Sequence, residues 1–276
     1  MNRLLLVLQV SRPILWPVLP LVYILGLNAA RTPISIAAAI QLAVLTLPMN
    51  LLGCGLNDIY DYDSDRRSTR RKSIWGAVVD ARNRMLVWWA CAAMVPLVIG
   101  SALFTRSAYN IVATLGLVIV AWAYSVPPVR LKERPPLDSL ANGLGFFLLP
   151  FVMGYSLGAD PSAMPLKYYL LSLTVCGIHS LATAADYDAD LAAGHRTMAV
   201  AYGQRTAAVV ALVTFAIALA VGDYQGVAVR IYLLAGTLAT LAAAIVPRDR
   251  IISAACVAIF AGFLVAAVCH AAGWGK

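Results

Sequence analysis

Nine apolar stretches, each close to the length that crosses a bilayer, recur along the 276-residue chain. About 20 residues at 1.5 Å per residue span the hydrocarbon core, and only hydrogen-bonded helix satisfies the backbone there in a single segment. The stretches lie near 13–29, 35–57, 84–104, 107–124, 139–157, 166–186, 206–222, 229–246 and 251–271. They predict an all-α membrane protein with nine transmembrane helices in a bundle. No linker separates a second unit, so one domain is expected over 1–276. Only 12% of the residues are charged, against about 25% in soluble domains. That is too few to coat a globule in water, which excludes a soluble enzyme, a disordered tail and a secreted disulfide scaffold.

The net charge of +8 does not point to nucleic acid, because the basic residues sit in short loops between spans. With the N-terminus placed in the cytoplasm, Arg31, Arg106, Lys167, Arg230 and Lys276 fall on the far side. The other 16 of the 21 Lys and Arg fall on the cytoplasmic side. This asymmetry supports nine spans, an integral multi-pass protein and a C-terminus on the opposite side. The run after Arg3 is broken by Ser11-Arg12-Pro13 with no small-residue cleavage site, and reads as mature sequence. Cys54, Cys91, Cys176, Cys256 and Cys269 lie in apolar segments without a C-x-x-C pair and read as small hydrophobes.

An ionised Asp in or beside a membrane helix costs a few kcal/mol and needs a reason. Seven of the 13 acids fall in two clusters, Asn57 to Asp65 and Asp186 to Asp190. Each closes an even-numbered span, so both open on the cytoplasmic face. If helix continues, Asp58, Asp61 and Asp65 share one face beside Asn57, and Asp186 and Asp190 share another. Carboxylates gathered at one level repel unless cations bind. Oxygen-only donors suit Mg²⁺ rather than zinc, and Mg²⁺ commonly carries a phosphate substrate. Pairing with Arg66, Arg67, Arg70 and Arg71 at solvated helix ends is the alternative.

The loop from Tyr124 to Lys132 lies on the same side. Pro127 and Pro128 stop the fourth helix, and Arg130 and Lys132 then suit diphosphate oxygens. Arg12, at the entry to the first span, is either an anchor or a phosphate ligand. His179, seven residues before Asp186, either lines a cavity or bonds within the bundle. Asn50, seven before Asn57, either extends the polar stripe or bonds between helices. His195 is expected in solvent and His270 near the far membrane surface. Gly53, Gly143, Gly145 and Gly154 are expected to let helices approach closely.

Asn57-Asp58-x-x-Asp61-x-x-x-Asp65 resembles the N-D-x-x-D-x-x-x-D motif of the UbiA superfamily of intramembrane prenyltransferases. Asp186-x-x-x-Asp190, with Gly194 and Thr197, resembles its second motif, and Tyr124 to Lys132 resembles its Y-S-x-P-P-x-R-x-K loop. The resemblance covers nearly the whole chain. It implies a nine-helix bundle around a central cavity, capped where the Asp motifs bind Mg²⁺ and prenyl diphosphate. Asn57, Asp58, Asp61, Asp65, Asp186 and Asp190 would be the diphosphate–Mg²⁺ ligands and Lys132 the leading phosphate cation. Quinone-pathway members commonly follow the first motif with R-P-I/L-x-x-G. This chain has Lys72-Ser73-Ile74-Trp75-Gly76 there, and with the stretch Lys132 to Ser139 it resembles the lycopene-elongase branch.

The expected chemistry is Mg²⁺-dependent transfer of a prenyl group from an allylic prenyl diphosphate to a lipophilic acceptor within membrane lipid. A carotenoid end is favoured and a quinone-precursor ring comes second. Cations stabilise the leaving diphosphate, the apolar surroundings exclude water, and aromatic faces such as Tyr124 steady the allylic cation. No residue identifies the base. Two alternatives stay open: a terpene cyclase on the same scaffold, and an ion or solute transporter. Transporters place acids near the midplane of broken helices, whereas these clusters sit at one face.

Overall fold

The computed structural model describes residues 3–62 and 77–272. Among these residues all regular structure is helical. The helices are α1 (Arg3–Val10), α2 (Val18–Ala29), α3 (Ile36–Val44), α4 (Leu47–Tyr60), α5 (Arg84–Leu103), α6 (Ala108–Ser125) and α7 (Leu137–Gly143). They continue with α8 (Leu149–Tyr155), α9 (Leu166–Ala185), α10 (Tyr187–Ala193), α11 (Met198–Tyr202), α12 (Gln204–Val221), α13 (Val227–Ile245) and α14 (Asp249–Ala271). Among the described residues eight spans are long and apolar enough to cross a membrane, and the bent pair Arg3–Val10 with Pro13–Ala29 brings the total to nine. Large apolar side chains such as Ile36 (83% exposed) and Val257 (69%) face outward. That pattern is costly in water and neutral in lipid.

Several spans are broken or bent. The first bends by 40° between Val10 and Pro13. There the Ser11 hydroxyl donates to Leu8 O (2.7 Å), and Trp16 Nε1 donates to Ser11 O (3.2 Å). The second span breaks between α3 and α4, because Pro48 has no N–H to offer the carbonyl four residues back. The fifth passes from α7 to α8 through a π-helical turn at Leu144–Leu148.

The chain forms two compact units. Unit one comprises residues up to Arg130 together with Leu149–Pro161, and unit two comprises Leu131–Leu148 and Ser162 onward. In unit one, α2 and α8 meet at paired glycines. A Cβ on Gly26 would lie 2.2 Å from Phe151 O, and one on Gly154 would lie 2.1 Å from Tyr23 O. The Tyr23 hydroxyl donates to Gln41 Oε1 (2.8 Å), Gln41 and Asn110 exchange hydrogen bonds at 2.8 Å, and Asn110 Nδ2 reaches Met153 O (2.7 Å). Four spans are thereby tied through one buried polar network. In unit two, alanines of α12 (Ala207, Ala208, Ala211, Ala218) let α9 approach, around a core of Leu181, Phe215, Leu233 and Ile252.

Gly143 and Gly154 bear out the expected close packing, since a Cβ on Gly143 would meet Cys176 Sγ at 2.2 Å. Gly53 does not: its nearest neighbour would be Ala121 Cβ at 4.0 Å, so room for a side chain exists.

Candidate functional site: carboxylates and cations at the ends of the spans

Unit one brings the first motif to the arginines flagged at two distant loops. Asp58, in the last turn of α4, is fully buried. Its Oδ1 takes a hydrogen bond from Arg12 Nη2 at 2.6 Å. Asp61 Oδ1 lies 3.5 Å from Arg130 Nη2. Both arginines hold left-handed backbone, at φ 50° and φ 40°. Among the described residues all four non-glycine residues with positive φ are arginines, the others being Arg31 and Arg106. Left-handed backbone costs an L-residue about 1–2 kcal/mol and persists where the surroundings hold it. For Arg12 and Arg130 the surroundings include a motif carboxylate.

The helix is interrupted within the first cluster. It ends at Tyr60, with Asp61 as its cap at φ −109° and ψ 14°. The C-terminus of a helix is its negative end, so successive carboxylates there work against extension. Asp58 and Asp61 accordingly turn to separate arginines. Asp65 lies outside the described residues, as do Arg66, Arg67, Arg70 and Arg71.

Asn57 is half-buried in the final turn of α4, and Tyr124 is half-buried near the end of α6. Asn50 is buried, and its Nδ2 donates to Leu45 O (3.2 Å) and Thr46 O (2.8 Å). It therefore bonds at the break in its own span, and Thr46 O also accepts the Asn50 N–H at 3.1 Å.

Unit two builds the second motif around a sharp turn. Asp186 separates α9 from α10, and the Asp190 N–H donates to Asp186 O at 2.9 Å. The chain then reverses at Gly194, whose φ of 75° suits a residue without Cβ. The reversal returns Thr197, whose hydroxyl donates to Asp190 Oδ2 at 3.1 Å. Gly194 and Thr197 thus serve Asp190: one turns the chain and the other holds the carboxylate. Asp186 and Asp190 remain half-buried, while Asp188 is exposed.

Lys132 is buried, with 6% exposure, in a short 3-10 turn. His195, expected in solvent, instead packs with Nδ1 2.6 Å from Glu133 Oε1 and keeps only 15% side-chain exposure. The neighbouring acid explains the difference, since it gives the imidazole a partner inside the loop. Among the described residues of each unit, no three His, Cys or acidic side chains cluster. Within each unit the two motif carboxylates are oxygen donors, the donor type that fits Mg²⁺ better than zinc.

Three polar residues of the Lys132 to Ser139 stretch were given no site role by the sequence. Glu133 is one. Asp138 is fully buried near the start of α7, and its carboxylate accepts the N–H groups of Ser139 (2.7 Å) and Met198 (2.9 Å). Ser139 Oγ in turn lies 3.2 Å from His179 Nδ1. The signal for Asp138 was present, because a lone acid inside an apolar span carries the same cost as a clustered one.

The sequence matches the UbiA prenyltransferase family over residues 14–269. It is 30% identical over 224 residues to a lycopene elongase/hydratase of Corynebacterium glutamicum, covering 79% of this chain and 76% of that protein. It is also 30% identical over 210 residues to a lycopene elongase/hydratase of Haloarcula japonica, covering 71% and 67%. Its fold resembles that of a UbiA homolog from Archaeoglobus fulgidus bound to DMAPP and Mg²⁺. The TM-score is 0.67 at 21% identity, over 94% of this chain and 99% of the other.

Proposed function

The chain belongs to the UbiA prenyltransferase family and is a multi-pass membrane prenyltransferase, and from that premise we propose its substrates, metal and site. It moves a prenyl group from an allylic prenyl diphosphate to a lipophilic acceptor, in the first place the end of a carotenoid chain, and releases diphosphate. A single domain over 1–276 carries the activity, with the N-terminus and motif loops on the cytoplasmic side. The observation that carries this reading is the pairing of Asp58, buried at the end of an apolar span, with an Arg12 whose backbone is left-handed. A buried charge pair of this kind gains little stability over apolar packing and is better explained by an anionic ligand. Relatives named lycopene elongase/hydratase support the carotenoid acceptor.

Asp58, Asp61, Asp65, Asp186 and Asp190 would hold Mg²⁺, with Asn57 beside them. When bound, Mg²⁺ neutralises charge on the diphosphate and makes it a better leaving group. Arg12, Arg130 and Lys132 bind phosphate oxygens and stabilise the charge that grows on the departing diphosphate. Thr197 keeps Asp190 oriented. The apolar helices exclude water that would otherwise turn the allylic cation into an alcohol. Tyr124 offers an aromatic face to that cation.

The test is incubation of the protein in membranes with Mg²⁺, several prenyl diphosphates, and lycopene, aromatic-acid or quinol acceptors, read by mass spectrometry. Prenylated lycopene is the expected product. A hydrocarbon formed without acceptor would replace this reading with cyclisation. Ion uptake by sealed vesicles, with no diphosphate released, would replace it with transport.

A further inference from the structure

The loop that follows the second motif is fastened by residues outside the motif. A helix leaves its first N–H groups without acceptors of its own. Helix α11 starts at Met198, directly after Thr197, and its first two N–H groups find acceptors on two other helices of unit two. Met198 N–H donates to Asp138 Oδ2 on α7, 60 residues away, at 2.9 Å. Ala199 N–H donates to Thr183 Oγ1 on α9 at 3.2 Å. The Thr183 hydroxyl itself donates to Ser180 O at 2.7 Å, so toward Ala199 its oxygen is the acceptor. Asp138, Thr183, Met198 and Ala199 are all buried.

Asp138 stands apart from the other buried acids. Asp58 and Asp61 pair with arginines, whereas among the described residues Asp138 meets N–H groups and no cation. A hydroxyl would accept the Met198 N–H, as Thr183 accepts that of Ala199, without burying a charge beside an apolar span. A carboxylate does more. Its bonds to N–H groups are about twice as strong as neutral ones. With Oδ1 on Ser139 N at 2.7 Å and Oδ2 on Met198 N, both of its oxygens are fixed. The backbone at Met198 is thereby set, and with it the neighbouring Thr197, whose hydroxyl donates to Asp190 Oδ2 at 3.1 Å.

The same loop is gripped a second time at His195. Its Nδ1 lies 2.6 Å from Glu133 Oε1, and its N–H donates to Asp190 O at 2.9 Å. Glu133 directly follows Lys132. The segment that carries Lys132 and the loop that holds Asp190 are therefore joined at two points, Glu133 to His195 and Asp138 to Met198.

We propose that Asp138 is a positioning residue for the second motif: through Met198 and Thr197 it keeps the Asp190 carboxylate oriented for a divalent cation. The proposal rests on the transferase reading above and its assignment of Asp190 as a Mg²⁺ ligand. Asp138 touches neither cation nor substrate. It removes in advance freedom that Asp190 would otherwise lose on binding, which is how preorganisation raises affinity.

Cation binding is read directly. The full-length protein in detergent, with inorganic diphosphate present, is titrated with Mn²⁺, and the free ion is followed by electron paramagnetic resonance. Asp138→Asn keeps the side-chain shape but has one acceptor oxygen for two N–H groups. The Mn²⁺ Kd is expected to rise about 10-fold, the scale of one lost hydrogen bond to a charged group. The Mg²⁺ concentration for half-maximal diphosphate release should rise with it, while kcat at saturating Mg²⁺ changes less. Asp138→Glu, charged but one methylene longer, displaces Met198 and should raise the Kd in the same way. Thr197→Val should match Asp138→Asn, and the double variant should bind within about twofold of Thr197→Val alone, because both changes act on one chain of contacts. A Kd within about twofold of wild type in a folded Asp138 variant overturns the proposal. So do effects of Asp138→Asn and Thr197→Val that multiply, or loss of cooperative melting in both Asp138 variants, either of which makes the residue purely structural. If wild-type protein binds no Mn²⁺ with diphosphate, the metal assignment fails and the positioning role falls with it. If wild type binds and the variants match it, only the positioning role fails.

Discussion

Arg12 and Asp58 meet at 2.6 Å although 46 residues separate them, and the carboxylate is fully buried. Removing one member leaves the other charge in an apolar end with less compensation. Arg12→Gln and Asp58→Asn are each expected to lower stability by about 3–5 kcal/mol. The double variant should lose less than the sum of the two, measured by thermal melting in detergent as a double-mutant cycle. Strict additivity would show that the pair is not coupled.

The carboxylate assignment predicts loss of chemistry without loss of fold at the second motif. Asp186→Ala is expected to abolish turnover while the protein still melts cooperatively. Thr197→Val should retain activity at a reduced rate, since it frees Asp190 without removing it. Product formation near wild-type levels by Asp186→Ala would remove that residue from the site.

Chelation gives a third expectation. EDTA should stop diphosphate release by the membrane-bound protein, and added Mg²⁺ should restore it. Retained activity after exhaustive chelation would rule out the Asp motifs as divalent-cation ligands.

Two glycines separate packing from chemistry. Gly154→Ala would force a Cβ to 2.1 Å from Tyr23 O, so it should lower the melting temperature sharply and reduce folded yield. Gly53→Ala meets only Ala121 Cβ at 4.0 Å and should be neutral or slightly stabilising, since it also raises helix propensity. Equal effects of the two substitutions would refute the close approach of α2 and α8.

The buried amide network carries its own expectation. Gln41→Leu removes the partner of both Tyr23 and Asn110 and should cost about 1–3 kcal/mol, with Tyr23→Phe costing less. Unfolding of the two variants in detergent would show whether the order holds.

The spans were legible because the cost of crossing hydrocarbon is set locally. Every stretch near 20 apolar residues returned as helix, including the bent first span, which Ser11-Arg12-Pro13 already marked. The two Asp motifs were legible for the same reason, as charges that an apolar neighbourhood does not tolerate without purpose. The end of α4 at Tyr60 was not, because spacing states which residues would share a face without stating where helix stops. The Glu133 partner of His195 was equally hidden, since loop residues 62 apart show no periodicity that joins them.

Sequence by itself determined a membrane-spanning helical chain, its nine spans and the acidic clusters that stand out at their ends, since hydropathy and the cost of buried charge depend on composition over a few turns. Tertiary structure alone decided that Asp58 pairs with Arg12, that Asp61 pairs with Arg130, and that Asp138 accepts the N–H of Met198. A hydrogen bond requires two groups within about 3 Å, and that distance is set by how distant helices pack, which the order of residues along either helix does not contain.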